Sequence, residues 1–82
     1  MAARVVLVTH PARGARAFAR ALVERRLAAC VNLVPVGSVY RWKGKVESTR
    51  ELLLVVKTTT GALARLERHV RAAHPAECFE FV

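Results

Sequence analysis

The run Glu51 to Lys57, ELLLVVK, constrains this chain more than any other segment. Five consecutive apolar residues stand between charges. They are too few for a buried helix and too continuous for a strand with one wet face, so they read as a strand covered on both sides. Leu52, Leu54 and Val56 point one way, and Leu53 and Val55 the other. Arg4 to Thr9, RVVLVT, repeats the pattern, with Val5 and Leu7 opposing Val6 and Val8. Strands of this kind need two lids.

Only two helices are available to supply them. Between Pro11 and Leu27 the apolar positions Ala15, Phe18, Leu22, Val23 and Leu27 recur at three- and four-residue spacing, and Leu63, Leu66, Val70 and Ala73 form a second period that stops before His74-Pro75. Ala28 to Val34 reads as a strand that Pro35 interrupts. Val39 to Trp42 and Lys45 to Lys57 read as hairpin arms around Lys43-Gly44, with a bulge expected near Ser48-Thr49. One of Thr58, Thr59 and Thr60 is expected to cap the second helix, and Cys78 to Val82 is the last strand. The order is β-α-β-β-α-β, an α+β ferredoxin-like split arrangement in which an antiparallel sheet carries both helices on one face. The other face stays apolar and open, which predicts a homo-oligomer closed by symmetry.

The chain has 82 residues, of which 54% are hydrophobic, enough for one domain over residues 1–82 but for a marginal one as a monomer. No apolar run approaches the roughly 18 residues that cross a bilayer, and the first residues lack a secretory signal, so a cytoplasmic protein without a membrane partner is expected. Cys30 and Cys78 form no disulfide framework and are expected to be reduced thiols. Fourteen basic residues, eleven of them arginine, outnumber six acidic ones for a net charge of +8. They are scattered rather than gathered in a basic arm.

Cys30 is a soft donor that would favour Cu(I) or Zn(II) over hard cations, against the simpler reading of a small buried hydrophobe. Asn32 shares its side of the strand and needs a partner once covered. His10, His69 and His74 are the nitrogen donors. His69 and His74 lie about 140° apart around a helix, so they do not chelate one ion together. Neither a C-x-x-C nor an H-x-x-x-H pattern occurs, so a metal requires donors distant in sequence or from different subunits. His74 also suits a structural place at a helix end. Tyr40 and Trp42 project to one side of a hairpin that cannot bury both rings, which points to interface anchors, with a stacking platform for a base or ligand as the alternative. Lys57 ends an apolar strand and calls for a carboxylate such as Glu80.

Thr9-His10-Pro11, Leu27 to Asn32 (LAACVN), Pro35, Ser38, Tyr40-x-Trp42-x-Gly44, Glu51, Lys57-Thr58, His74-Pro75 and Glu80 follow one another in an order that closely resembles the CutA family. The resemblance implies a PII-like trimer of ferredoxin-like subunits linked to divalent-cation tolerance. It implies copper or another divalent cation as ligand, and it places Cys30, Lys57, His74 and Glu80 near clefts between subunits. The metal set carried over is Cys30, His74 and Glu80, and the trimer contacts are Tyr40, Trp42 and Lys57. The chain departs from the pattern in having one residue fewer between Pro35 and Tyr40, in Ala76 and Phe79 where the family has tyrosine and proline, and in ending at Val82, where the family continues into further strand and helix.

Other functions with this order of elements are less well supported. A small basic nucleic-acid-binding or PII-like regulatory module is the alternative, but RNA-recognition motifs carry stacking aromatics on the first and third strands, and RVVLVT and ELLLVVK have none, so nucleic acid is not expected as a partner. An acylphosphatase-like hydrolase needs a glycine-rich phosphate loop that His10 to Gly14 does not supply. No enzyme activity is expected.

Overall fold

Strand β1 (Ala3–His10), helix α1 (Ala15–Glu24), strands β2 (Cys30–Trp42) and β3 (Lys45–Thr59), a 3-10 turn at Thr60–Ala62 and helix α2 (Leu63–Ala73) follow in that order in a computed structural model that describes residues 2–75. The doubly apolar run takes the middle of the sheet. β3 lies between β1 and β2 and pairs antiparallel with both. Leu54 and Val56 turn toward the helices with Val6 and Val8, and all four are buried.

Each helix presents one stripe to that face. Ala15, Ala19 and Leu22 are the buried positions of α1, and Leu66 and Val70 those of α2. The alanines let α1 lie close to the strands. No lid covers the opposite face among the described residues, where Val5 is 60%, Val34 41% and Leu7 37% exposed.

The strands differ from the sequence expectation in two places. β2 runs unbroken through Pro35, which pairs with Leu52. Among the described residues β2 is an edge strand, the position where a missing N–H is tolerated. The expected bulge is absent, because the register advances one for one from Cys30↔Lys57 to Trp42↔Lys45. The turn between the arms is a two-residue one, with Lys43 at φ 50° and Gly44 at φ 79°, the double positive φ that matches strand twist. Beyond the last β1 pair, His10↔Leu52, only β2 and β3 continue. That arm stretches the molecule to 42 × 20 × 20 Å.

The threonines also serve differently from expectation. None makes a side-chain cap bond to the 3-10 turn or to α2. Thr58 Oγ1 instead donates to the buried Leu27 carbonyl at 2.8 Å, and Thr60 Oγ1 donates to Ala2 O at 3.3 Å. The Thr58 hydroxyl therefore ties the end of β3 to the segment after α1, and Thr60, whose amide also donates to Ala2 O at 3.0 Å, ties the 3-10 turn to the start of the chain. The expected strand Cys78 to Val82 lies outside the described residues.

At the end of α1 the Leu27 and Ala28 amides both donate to Leu22 O, and Arg26 sits at φ 59°. Glycine is the usual occupant of such a left-handed closing position, because a Cβ crowds the carbonyl there. Replacing Arg26 with Gly is expected to raise the unfolding free energy by about 0.5–1 kcal/mol, the relieved strain less glycine's extra unfolded-state freedom. Urea denaturation measures it, and a lower midpoint would contradict the assignment.

Candidate functional site

The register places the candidate residues in three neighbourhoods. On the open sheet face, antiparallel pairing lays out cross-strand rows: Val5, Lys57, Cys30; then Leu7, Val55, Asn32; then Thr9, Leu53, Val34. Cys30 is an exposed free thiol, and Lys57 is exposed directly across from it. Directly opposed side chains on neighbouring strands have Cβ atoms about 4.5–5.5 Å apart, so thiol and ammonium share one small surface. Lys57 makes no ion pair with any described carboxylate. Its expected partner Glu80 lies outside the described residues. Asn32 is exposed as well, with its amide open to water.

The second neighbourhood lies at the opposite end of the sheet. His10, at the end of β1, is 2% exposed and turns toward the helices. Its ring stands 4.7 Å from the ring of Phe18 and 4.9 Å from that of His74. Phe18 also approaches His69 at 6.3 Å. Backbone carbonyls fix two of these imidazoles: His10 Nδ1 donates to Pro11 O at 2.7 Å, and His74 Nε2 donates to Thr9 O at 2.6 Å. Since a carbonyl only accepts, each of those nitrogens carries the proton. His74 thereby latches the end of α2 to the end of β1. Topology brings them together: α1 descends, β2 rises, β3 descends and α2 rises again, so the second helix must finish level with the first strand.

Burial lowers the pKa of His74, as does the nearby His10, against the raising effects of the Thr9 bond and of Glu51. The pKa of His69 is also lowered, first by burial and then by the positive charge of Arg25.

The third neighbourhood is the hairpin tip. Tyr40 and Trp42 share one side of β2, across from Glu47 and Lys45. Trp42 is half-buried, with the Lys43 ammonium 5.6 Å from its ring centroid, while Tyr40 remains 42% exposed. Both aromatics extend beyond the three-stranded region.

Within one chain these neighbourhoods do not converge on a metal. Cys30 lies in the Val5 row, whereas His74 meets Thr9 four residues farther along β1, about 13 Å at the usual strand rise. Among the described residues no group of three or more His, Cys, Asp or Glu is placed to hold an ion. The ammonium beside Cys30 also repels cations. The donors among the described residues of a single chain therefore do not fit a metal. Sequence reasoning missed the meeting of His10 with His74, although both precede a proline at an element's end and the βαββαβ order places those ends together.

The CutA1 family model, described as CutA1 divalent ion tolerance protein, matches residues 4–82. The divalent-cation tolerance protein CutA of Thermus thermophilus is 55% identical over 80 residues, covering 95% of this chain and 78% of that protein. A chloroplastic CutA protein of Arabidopsis thaliana is 46% identical over 95% of this chain, which spans 44% of the plant protein. Among solved structures, the PII-like protein CutA from a Nostoc species, in apo form, superposes with a TM-score of 0.91 at 42% identity, covering 95% of this chain and 75% of that one.

The histidine latch has a pH signature. A lowered folded-state pKa means that the unfolded chain binds more protons between that value and about 6.5, so stability falls as pH drops through the window. The urea midpoint should therefore decline from pH 7.5 to 5.5, and His74→Gln, which keeps an N–H donor but does not titrate, should decline less steeply. Equal slopes in the two proteins would remove His74 from the effect.

Proposed function

The chain belongs to the CutA1 divalent ion tolerance family, and on that footing we propose that it acts as a homotrimeric, non-enzymatic module that responds to divalent metal ions, copper foremost. The observation that carries this reading is the open sheet face. Val5, Leu7, Val34, Leu53 and Val55 form an apolar field on the side without helices, and Cys30 and Lys57 stand at its end. A field of this kind at the centre of a small domain is stabilised when copies cover it, because each buried Val or Leu side chain contributes about 1.5–3 kcal/mol.

The arm supports the same assembly. A two-stranded ribbon is marginal in water by itself, and this one exposes Val39 at 74%, Val46 at 66% and Tyr40 at 42%. Tyr40 and Trp42 are the anchors we assign to a neighbouring copy. Closure by three copies places Cys30 at a boundary where donors from another chain can complete what one chain lacks. The proposed set is Cys30, His74 and Glu80 drawn from more than one subunit, with Lys57 paired to a carboxylate across the boundary. The proposed compartment is the cytoplasm, where an exposed thiol stays reduced. No helix is long and apolar enough to cross a membrane among the described residues.

Sedimentation equilibrium at micromolar concentration should return three times the 9.1 kDa chain mass, and Trp42→Ala should shift the distribution toward smaller species. A single-chain mass for the unaltered protein would defeat the assembly. Calorimetric titration with Cu(II), Cu(I) and Zn(II) should show binding by the unaltered protein that Cys30→Ala weakens at least tenfold. Identical weak binding by both would take Cys30 out of the site.

A further inference from the structure

We propose that the outer surface of the two helices binds the phosphate backbone of duplex nucleic acid without sequence preference. Around α1, from Arg13 to Arg26, and along α2 stand eight arginines against two glutamates. Both glutamates are already engaged within their own helices, Glu24 by Arg20 and Glu67 by Arg71, each at 2.9 Å. Arg13, Arg16, Arg25, Arg26, Arg65 and Arg68 make no ion pair among the described residues, and all six are exposed.

The apolar surface lies elsewhere. Of the large exposed hydrophobics among the described residues, Val5, Leu7, Val34, Val39, Tyr40 and Val46 belong to the strands and only Val23 to a helix. The helix surface is thus cationic with little to insert, which disfavours a lipid bilayer, where apolar side chains must enter the headgroup layer. It also lacks aromatic platforms for unstacked bases, since Phe18 is half-buried against His10, His69 and His74. Dense, regularly spaced phosphates remain as the matching partner. Every cation on this layer is a guanidinium, which grips phosphate oxygens in pairs. Within the helices, Arg16 and Arg20, and Arg65 and Arg68, follow three- and four-residue spacing, so successive charges lie about 4.5–6 Å apart along an axis. Duplex DNA offers one phosphate per ~1.7 Å of its own axis.

The absence of aromatics from β1 and β3 argues against single-stranded RNA on the sheet and leaves this surface untouched. In the proposed trimer the sheet faces inward, so the helices stay accessible.

Fluorescence anisotropy of a labelled mixed-sequence duplex, titrated with the full chain, tests the proposal. Three to four phosphate contacts should weaken binding roughly 40- to 150-fold between about 50 and about 200 mM salt. The triple variant Arg16→Gln, Arg65→Gln, Arg68→Gln should bind at least about tenfold more weakly and lose about 2.7 units of the log–log salt slope. Its unfolding midpoint should stay close to that of the unaltered protein, because exposed, unpaired side chains change stability little. Glu24→Gln, which removes a carboxylate from the same surface, should tighten binding about twofold or more, a gain that no misfolded variant can mimic. Binding without salt dependence, an unchanged triple variant, no binding at the lower salt, or tighter binding to phosphatidylserine vesicles than to the duplex would each overturn the proposal. None of these outcomes bears on the metal titration, so the two readings fail separately.

Discussion

A central strand with oil on both sides and a helix layer on only one is the constraint from which the rest of this molecule follows. β3 has to pair on both edges and be covered on both faces. Its edges are taken by β1 and β2, and its Leu54 and Val56 side by the helices. On that side a core closes within the chain, with Leu22, Leu54 and Leu66 fully buried. On the other side Val5, Leu7 and Val34 face solvent, and hydrophobic stabilisation scales with area removed from water. The free energy available to the chain therefore lies largely in what covers that face.

Polar side chains work chiefly at the ends of elements, where backbone carbonyls run out of partners. Thr58 takes the Leu27 carbonyl, Thr60 that of Ala2, His10 that of Pro11 and His74 that of Thr9. An orphaned buried carbonyl is costly, as that of Leu27 would be, and the bonds of Thr58, Thr60 and His74 also join segments distant in sequence. No buried side-chain nitrogen or oxygen is left without a partner among the described residues. The inner layer is thus settled within one chain, while polar groups on the outer surfaces, including Cys30, Lys57 and the helix arginines, face outward. Most of the arginines lie on the helix layer and most of the exposed apolar residues on the strands, so two different kinds of contact can form at once.

Much of the architecture was legible in the sequence because it depends on period. ELLLVVK and RVVLVT declared doubly covered strands, the spacing of Leu63, Leu66 and Val70 declared a helix, and Lys43-Gly44 declared the turn. The misreadings share a cause. Pro35 reads as a strand breaker until one knows that β2 lies at an edge, and Thr58 reads as a helix cap until the Leu27 carbonyl is found within its reach. In both cases the deciding neighbour is distant in sequence, 17 residues away for Pro35 and Leu52 and 31 for Thr58 and Leu27.

The candidate site divides along the same line. By itself the sequence determined the residue types that could matter, a soft thiol at Cys30, imidazoles at His10, His69 and His74, and the aromatic pair Tyr40 and Trp42, because donor chemistry belongs to a side chain wherever it stands. It also determined that both sheet faces would be apolar, since alternation along a strand is a local rule. Only the tertiary structure decided that Lys57 opposes Cys30, that His74 latches onto Thr9 beside His10, and that the described donors of one chain do not gather around a common point. Those facts depend on register and on where each element ends, which are set by packing between residues that the chain itself holds far apart.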